Sequence, residues 1–133
     1  MERLRQRLRL AEQALATLEE LAYLERPTDI QRDAAIQRFE YSYEAVWKAA
    51  QRYLLVREGL QTGSPKSCIR AFRDVGLLRE EQTESALEMA DDRNLTVHTY
   101  NEALAQAIFA RLGRHAATMK HWLTPMKERL NNS

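Results

Sequence analysis

The chain has 133 residues, with 20 Lys+Arg against 19 Asp+Glu for a formal net charge of +1, and it is 44% apolar and 29% charged. That length suits one domain, residues 1–133, burying roughly two-thirds of its unfolded surface, and the apolar content excludes a disordered chain. The lone cysteine, Cys68, excludes an internal disulfide, and with three histidines it supplies too few ligands for a structural zinc site.

No apolar run approaches the ~20 residues of a membrane span, and the arginine-dense start lacks the apolar stretch of a secretory signal. Near-neutral charge argues against a generic polyanion binder while leaving room for a local basic face. The expectation is a soluble, cytoplasmic, helical protein without membrane association.

The first helix is predicted over Glu2 to Glu25. Leu4, Leu8, Ala11, Leu15, Leu18 and Ala22 alternate by four and three, which lays one stripe along a helix. Leu10, Ala14, Leu21 and Leu24 widen the stripe, as a bundle helix requires. Arg26-Pro27-Thr28-Asp29 breaks the pattern, because proline disfavours helical geometry in the residue before it and Thr28 or Asp29 can cap the next helix.

The second helix should run from about Ile30 to Glu58, with Ile36, Phe39, Tyr43, Val46, Trp47, Ala50, Tyr53 and Leu54 inward. At ~1.5 Å per residue it spans ~40 Å, so the bundle is elongated. Gly59 to Pro65 reads as a loop. Ser64-Pro65 then caps and opens a short helix through Cys68, Ile69, Phe72 and Val75, which Gly76 ends. Glu80 to about Val97 forms a helix weak in large apolar residues, with Ala86, Leu87, Met89 and Ala90. The last, about Glu102 to Leu130, is N-capped by Asn101 and carries Leu104, Ile108, Leu112, His115, Met119, Trp122 and Met126 near one face. Without any strand-length alternation, the fold class is all-α: an antiparallel up-down four-helix bundle with one additional short helix.

Packing accounts for most of the chain but not for Asp91 to Tyr100. Thr83, Ala86, Ala90, Arg93 and Val97 share one stripe, so Arg93 falls among small packing residues, where a guanidinium needs partners or a ligand. Asn94 and His98 share the adjoining face. On an unbroken helix Arg93 and His98 point ~140° apart, so they meet at one ligand only if the helix ends near Thr96 or a second subunit supplies one of them. Such a pair suits phosphate: histidine titrates near neutrality and can deprotonate a ribose 2′-hydroxyl, and arginine presents a planar fork to phosphate oxygens. That chemistry needs no metal and no cofactor.

The run Arg93-Asn94-Leu95-Thr96-Val97-His98-Thr99-Tyr100 resembles the arginine–histidine–tyrosine signature of HEPN-domain proteins that pair with minimal nucleotidyltransferases. Phe39-Glu40-Tyr41-Ser42-Tyr43-Glu44-Ala45-Val46-Trp47-Lys48 is similar to the same group, as is Ser64-Pro65-Lys66 leading into Cys68-Ile69-Arg70-Ala71-Phe72. Together the three stretches resemble the nucleotidyltransferase substrate-binding protein family over nearly the whole chain.

The resemblance implies a two-fold homodimer with a cleft around the motif and a separately encoded minimal nucleotidyltransferase as partner, in a toxin–antitoxin-like pair. It implies that nucleotide or RNA phosphate binds there. It also implies metal-independent ribonuclease chemistry with Arg93 and His98 as catalytic residues, and Tyr100 as the acceptor of AMP. The alternative is a non-catalytic subunit that presents substrate to the transferase; a third reading is a helical adaptor whose Arg93 meets an intersubunit carboxylate. The chain has no nucleotidyltransferase signature of its own.

Asn94, Glu40, Lys48 and Trp47 are candidates for lining the cleft, although Phe39 and Trp47 read first as core. Glu44 and Lys48 have the spacing of a surface ion pair, worth ~0.2–0.5 kcal/mol. Arg3, Arg5, Arg7 and Arg9 scatter around the first helix and read as a solvated face. His115 reads as a hydrogen-bonded core histidine and Cys68 as packing. Asp91 and Asp92 either orient Arg93 or His98 or stand in solvent.

Overall fold

The computed structural model describes residues 1–132. It contains five α-helices: α1 Glu2–Ala22, α2 Asp29–Tyr53, α3 Pro65–Asp74, α4 Glu80–Leu95 and α5 Glu102–Asn131. A π-helical turn, Leu54–Glu58, extends α2, and a 3₁₀ turn, Thr96–His98, comes after α4. Among the described residues there is no strand, and no helix is long and apolar enough to cross a membrane.

The helix starts obey their capping chemistry. Thr28 accepts from the Gln31 backbone N–H while Gln31 returns a bond to the Thr28 backbone. Ser64 does the same with Ser67, and Pro65 occupies the first turn, where its missing N–H costs nothing. Asn101 caps α5 through the Leu104 N–H. At the other end of α2, Gly59 takes a left-handed φ of 67°, and the N–H groups of Gly59 and Leu60 both close on the Leu54 carbonyl.

Ion pairs fix the helix directions. Glu19 meets Lys120 and Glu12 meets Lys127, so α1 and α5 are antiparallel. Arg38 bonds Glu20 and Tyr41 bonds Thr17, which makes α1 and α2 antiparallel too. Asp92 reaches Arg111 and Glu88 reaches Arg114, which sets α4 against α5. The four long helices therefore run up, down, up and down, and α3 is the additional short one. All six residues of the α1 stripe are buried, as are Ile36, Phe39, Tyr43, Val46, Trp47, Ala50, Tyr53 and Leu54 of α2. They belong to one continuous core, in which Phe72 packs edge-on against Trp122 at 5.8 Å and tilts against Tyr53 at 5.7 Å. Aromatic pairs of this kind add ~0.5–1.5 kcal/mol each beyond their buried area.

Three expectations need correction. Leu10 does not widen the α1 stripe: it is 53% exposed, because α2 and α5 cover only the narrower seam. The first helix stops at Ala22 rather than Glu25. Most consequentially, α4 stops at Leu95, so Val97 leaves the stripe it would have continued and is 65% exposed.

Candidate functional site

The end of α4 is where the unusual segment lies. Thr83, Ala86 and Ala90 of its stripe are buried, and Arg93, next on that stripe, is partly covered with a quarter of its side chain exposed. Its guanidinium has found partners on α2 and at its own helix end. Arg93 Nη1 lies 3.3 Å from Glu40 Oε2 and donates to Thr96 Oγ1 at 2.9 Å. The Thr96 hydroxyl lies 3.0 Å from the same Glu40 oxygen and 2.7 Å from the Arg93 carbonyl. Thr96 is buried, so Glu40, Arg93 and Thr96 form a closed polar triangle where α2 meets the end of α4. Arg93 Nε is buried without a hydrogen-bond partner.

Thr96 also begins the 3₁₀ turn. The break satisfies the geometric condition set by the five-residue spacing, since the chain leaves the helix between Arg93 and His98. His98 and Tyr100 are exposed beyond it, their rings edge to face at 6.1 Å, and Tyr100 is 86% exposed. Asn94 is also exposed. Of the predicted cleft residues, only Glu40 comes to Arg93.

Trp47 and Lys48 belong elsewhere. Trp47 is buried, its indole N–H donates to Glu44 Oε2 at 3.2 Å, and the Lys48 ammonium lies over its ring at 4.6 Å. Among the described residues Lys48 has no ion pair with Glu44, because the indole N–H and the ring face take the two ends of that expected contact. Phe39 is core, as expected. Ahead of the triangle, Lys66 donates to Asp91 at 2.6 Å, which ties the start of α3 to α4.

Asp92 has the role that sequence reasoning missed. It orients neither Arg93 nor His98. Its buried carboxylate receives Arg111 in two bonds, Nε at 2.7 Å and Nη2 at 2.9 Å, and lies 2.6 Å from His115 Nε2. His115 is the hydrogen-bonded core histidine expected, stacked on Phe39 at 5.3 Å. Burial pushes the Asp92 pKa up, but the hydrogen bonds and charges of Arg111 and His115 outweigh this and hold it below its ordinary value. Burial, against the pull of Asp92, lowers the His115 pKa. Near neutrality the arrangement is thus an ionised Asp92 paired with Arg111, with neutral His115 donating its Nε2–H. Tyr43, buried near Arg93 and Asp91, has its phenol pKa raised, first by burial and then by Glu44. Among the described residues no three His, Cys, Asp or Glu side chains gather as metal ligands do.

Solved structures share this architecture. A protein of Thermus thermophilus with a known crystal structure is 61% identical, at a TM-score of 0.84, over 86% of this chain and 97% of that one. A Haemophilus influenzae protein, 22% identical, superposes at a TM-score of 0.74 over 90% of this chain and 98% of that one. Its structure is described as revealing the fold of a substrate binding domain of a nucleotidyltransferase. No curated protein matches the chain. The family model described as "Nucleotidyltransferase substrate binding protein like" matches residues 6–128, and the chain belongs to that family.

Proposed function

We propose that this chain is the substrate-binding subunit of a two-component nucleotidyltransferase, working as one domain and holding a nucleotide or RNA phosphate at Arg93. The observation that carries this reading is the clamp on Arg93. Glu40 and Thr96 engage one edge of a guanidinium that remains a quarter exposed, so the fork is positioned before a phosphate arrives. The His98 ring, by contrast, meets Tyr100 edge to face but has no carboxylate or carbonyl bonded to it among the described residues, so no hydrogen bond selects its tautomer. A general base is ordinarily held by such a partner. Binding without cleavage is therefore the first reading, and transferase chemistry belongs to a separately encoded partner.

The second reading is metal-independent RNA cleavage, with His98 as general base and Arg93 as the anchor of transition-state charge. The helix break at Thr96 favours it, since this is what lets residues five apart turn toward one phosphate. A homodimer would bring a second Arg93–His98 pair to a composite site. The exposed Leu95, Val97 and Tyr100 around the motif support such an interface. In a toxin–antitoxin-like pair, the exposed Tyr100 hydroxyl would be the group open to AMP transfer.

One experiment separates the readings. Purified protein is incubated with mixed RNA and EDTA beside its Arg93→Ala and His98→Ala variants, and both cleavage ends and RNA affinity are measured. The binding reading expects no cleavage, affinity lost in Arg93→Ala and retained in His98→Ala. Cleavage leaving 2′,3′-cyclic phosphates, abolished by His98→Ala, would replace it with the nuclease.

A further inference from the structure

A cavity opens away from Arg93. It has a volume of about 470 Å³ and lies between the start of α1, the end of α2 and the loop at 60–63. Arg3 and Arg7 face it from α1, Lys48 and Arg52 from α2, and Leu55 and Leu60 give it an apolar wall. Each cation pair is spaced by four, so both members lie on one helix face and the two faces oppose each other across the cavity. The cavity stands apart from the Arg93 triangle: Lys48 and Arg52 lie eight and twelve residues beyond Glu40 on α2, ~12–18 Å along the axis.

The charge here is only partly compensated. Among the described residues none of Arg3, Arg7, Lys48 and Arg52 is in an ion pair with a carboxylate, and no carboxylate lines the cavity. Glu44, whose carboxylate accepts from the Trp47 indole, borders the adjoining depression beside Arg7 and Lys48 and offsets part of their charge from outside the cavity. Arg52 Nε is buried without a hydrogen-bond partner. Four like charges converging on one concavity repel one another unless an anion joins them. The wall is held in place as well: Gln51 Nε2 donates to the Thr62 carbonyl at 2.6 Å, and the Thr62 hydroxyl contacts Cys68 Sγ at 2.7 Å. The π-helical turn that supplies Leu55 is a form that recurs at functional sites.

We infer that this cavity is a second binding site, for a polyphosphate carrying a flat or apolar moiety, the chemistry of a nucleoside di- or triphosphate. Its volume falls within the range of small-molecule sites, and its lining is mostly cationic and polar, with Leu55 and Leu60 as the apolar wall. The phosphates lie among the four cations and the apolar moiety against Leu55 and Leu60. An extended RNA strand suits it less, because the loop at 60–63 closes one side. This inference does not depend on the reading of Arg93.

The test is calorimetric titration of the full chain with ATP, inorganic triphosphate, adenosine and a short single-stranded RNA. It is run in the wild type and in an Arg93→Ala background, so that uptake at Arg93 is accounted for. ATP should bind in both backgrounds, at least tenfold more tightly than inorganic triphosphate or adenosine. Arg7→Gln combined with Lys48→Gln should weaken it at least tenfold. Arg3→Glu, at an exposed helix position, should repeat the loss without touching the core, while Arg114→Gln, an exposed charge elsewhere, should not. ATP binding untouched by the cavity variants, or abolished by Arg93→Ala alone, overturns the assignment. So does triphosphate binding as tightly as ATP, or RNA binding where ATP does not.

Discussion

Replacing Asp92 by asparagine tests whether the buried carboxylate organises the junction of α4 and α5. The side chain is 8% exposed and accepts from three N–H groups, two on Arg111 and one on His115. An asparagine of the same shape has one oxygen where the carboxylate had two, so at most part of this set survives, and the charge facing Arg111 is gone. Breaking a buried pair costs ~3–5 kcal/mol, and a hydrogen bond to a charged group is worth ~1.5–3 kcal/mol. Arg111 is 34% exposed and can recover water, which lowers its share; His115 is 1% exposed and cannot. The expected destabilisation of Asp92→Asn is therefore about 2–3 kcal/mol. For a chain of this length it should appear as a fall in Tm of about 10 °C, at unchanged m-value, in urea and thermal unfolding monitored by circular dichroism. A change below about 0.5 kcal/mol, the range of an ordinary surface substitution, would refute the reasoning. It would mean that Arg111 and His115 find equivalent partners without the carboxylate.

Three further outcomes are expected from the same geometry. The His115 pKa is held below its ordinary 6.5, so in that range the unfolded chain takes up the proton first. This contribution to stability is complete above pH 6.5 and is lost as pH falls through the folded-state value; below 3.8, the depressed Asp92 adds a second loss. Unfolding free energy measured against pH should decline just below 6.5 in the wild type and stay flat there in His115→Gln; an unchanged slope in the variant would assign the decline elsewhere. Thr96→Val keeps the volume but removes the hydroxyl shared by Arg93 and Glu40, and should cost about 1–2 kcal/mol by urea unfolding; a neutral result would show that water takes its place. Pro125 sits inside α5, where its ring crowds the preceding turn and its backbone donates no hydrogen bond. Pro125→Ala should raise stability by about 1 kcal/mol, read as a higher Tm; a lower Tm would refute this and show that the proline's restriction of the unfolded chain is the larger effect.

What was legible in the sequence was local. The four-three alternation from Leu4 to Ala22 marks the buried face of α1 because a helix repeats every 3.6 residues whatever surrounds it. Ser64-Pro65 and Asn101 announce helix starts because a cap needs only the next three residues. The same local logic places Arg93 on a half-covered stripe and makes a helix end near Thr96, or a second subunit, the condition for Arg93 and His98 to meet; α4 does end at Leu95. What was illegible depends on which helix faces which. Glu44 and Lys48 have the spacing of an ion pair, yet Trp47 between them takes both, and that competition appears only once the indole is packed inward. Asp92 chooses Arg111 and His115 across the α4–α5 interface over its sequence neighbour Arg93, because α4 turns the two residues toward different helices. The arginines of α1 show the limit most clearly. Read alone, Arg3, Arg5, Arg7 and Arg9 scatter around a helix; the fold sorts Arg3 and Arg7 to one side, opposite Lys48 and Arg52, and leaves Arg5 and Arg9 on another beside Glu12 and Lys127. A basic site assembled from two helices has no signature in either one. The near-zero net charge that argued against polyanion binding is an average over the whole surface, and it carries no information about a cavity where four cations meet without a carboxylate.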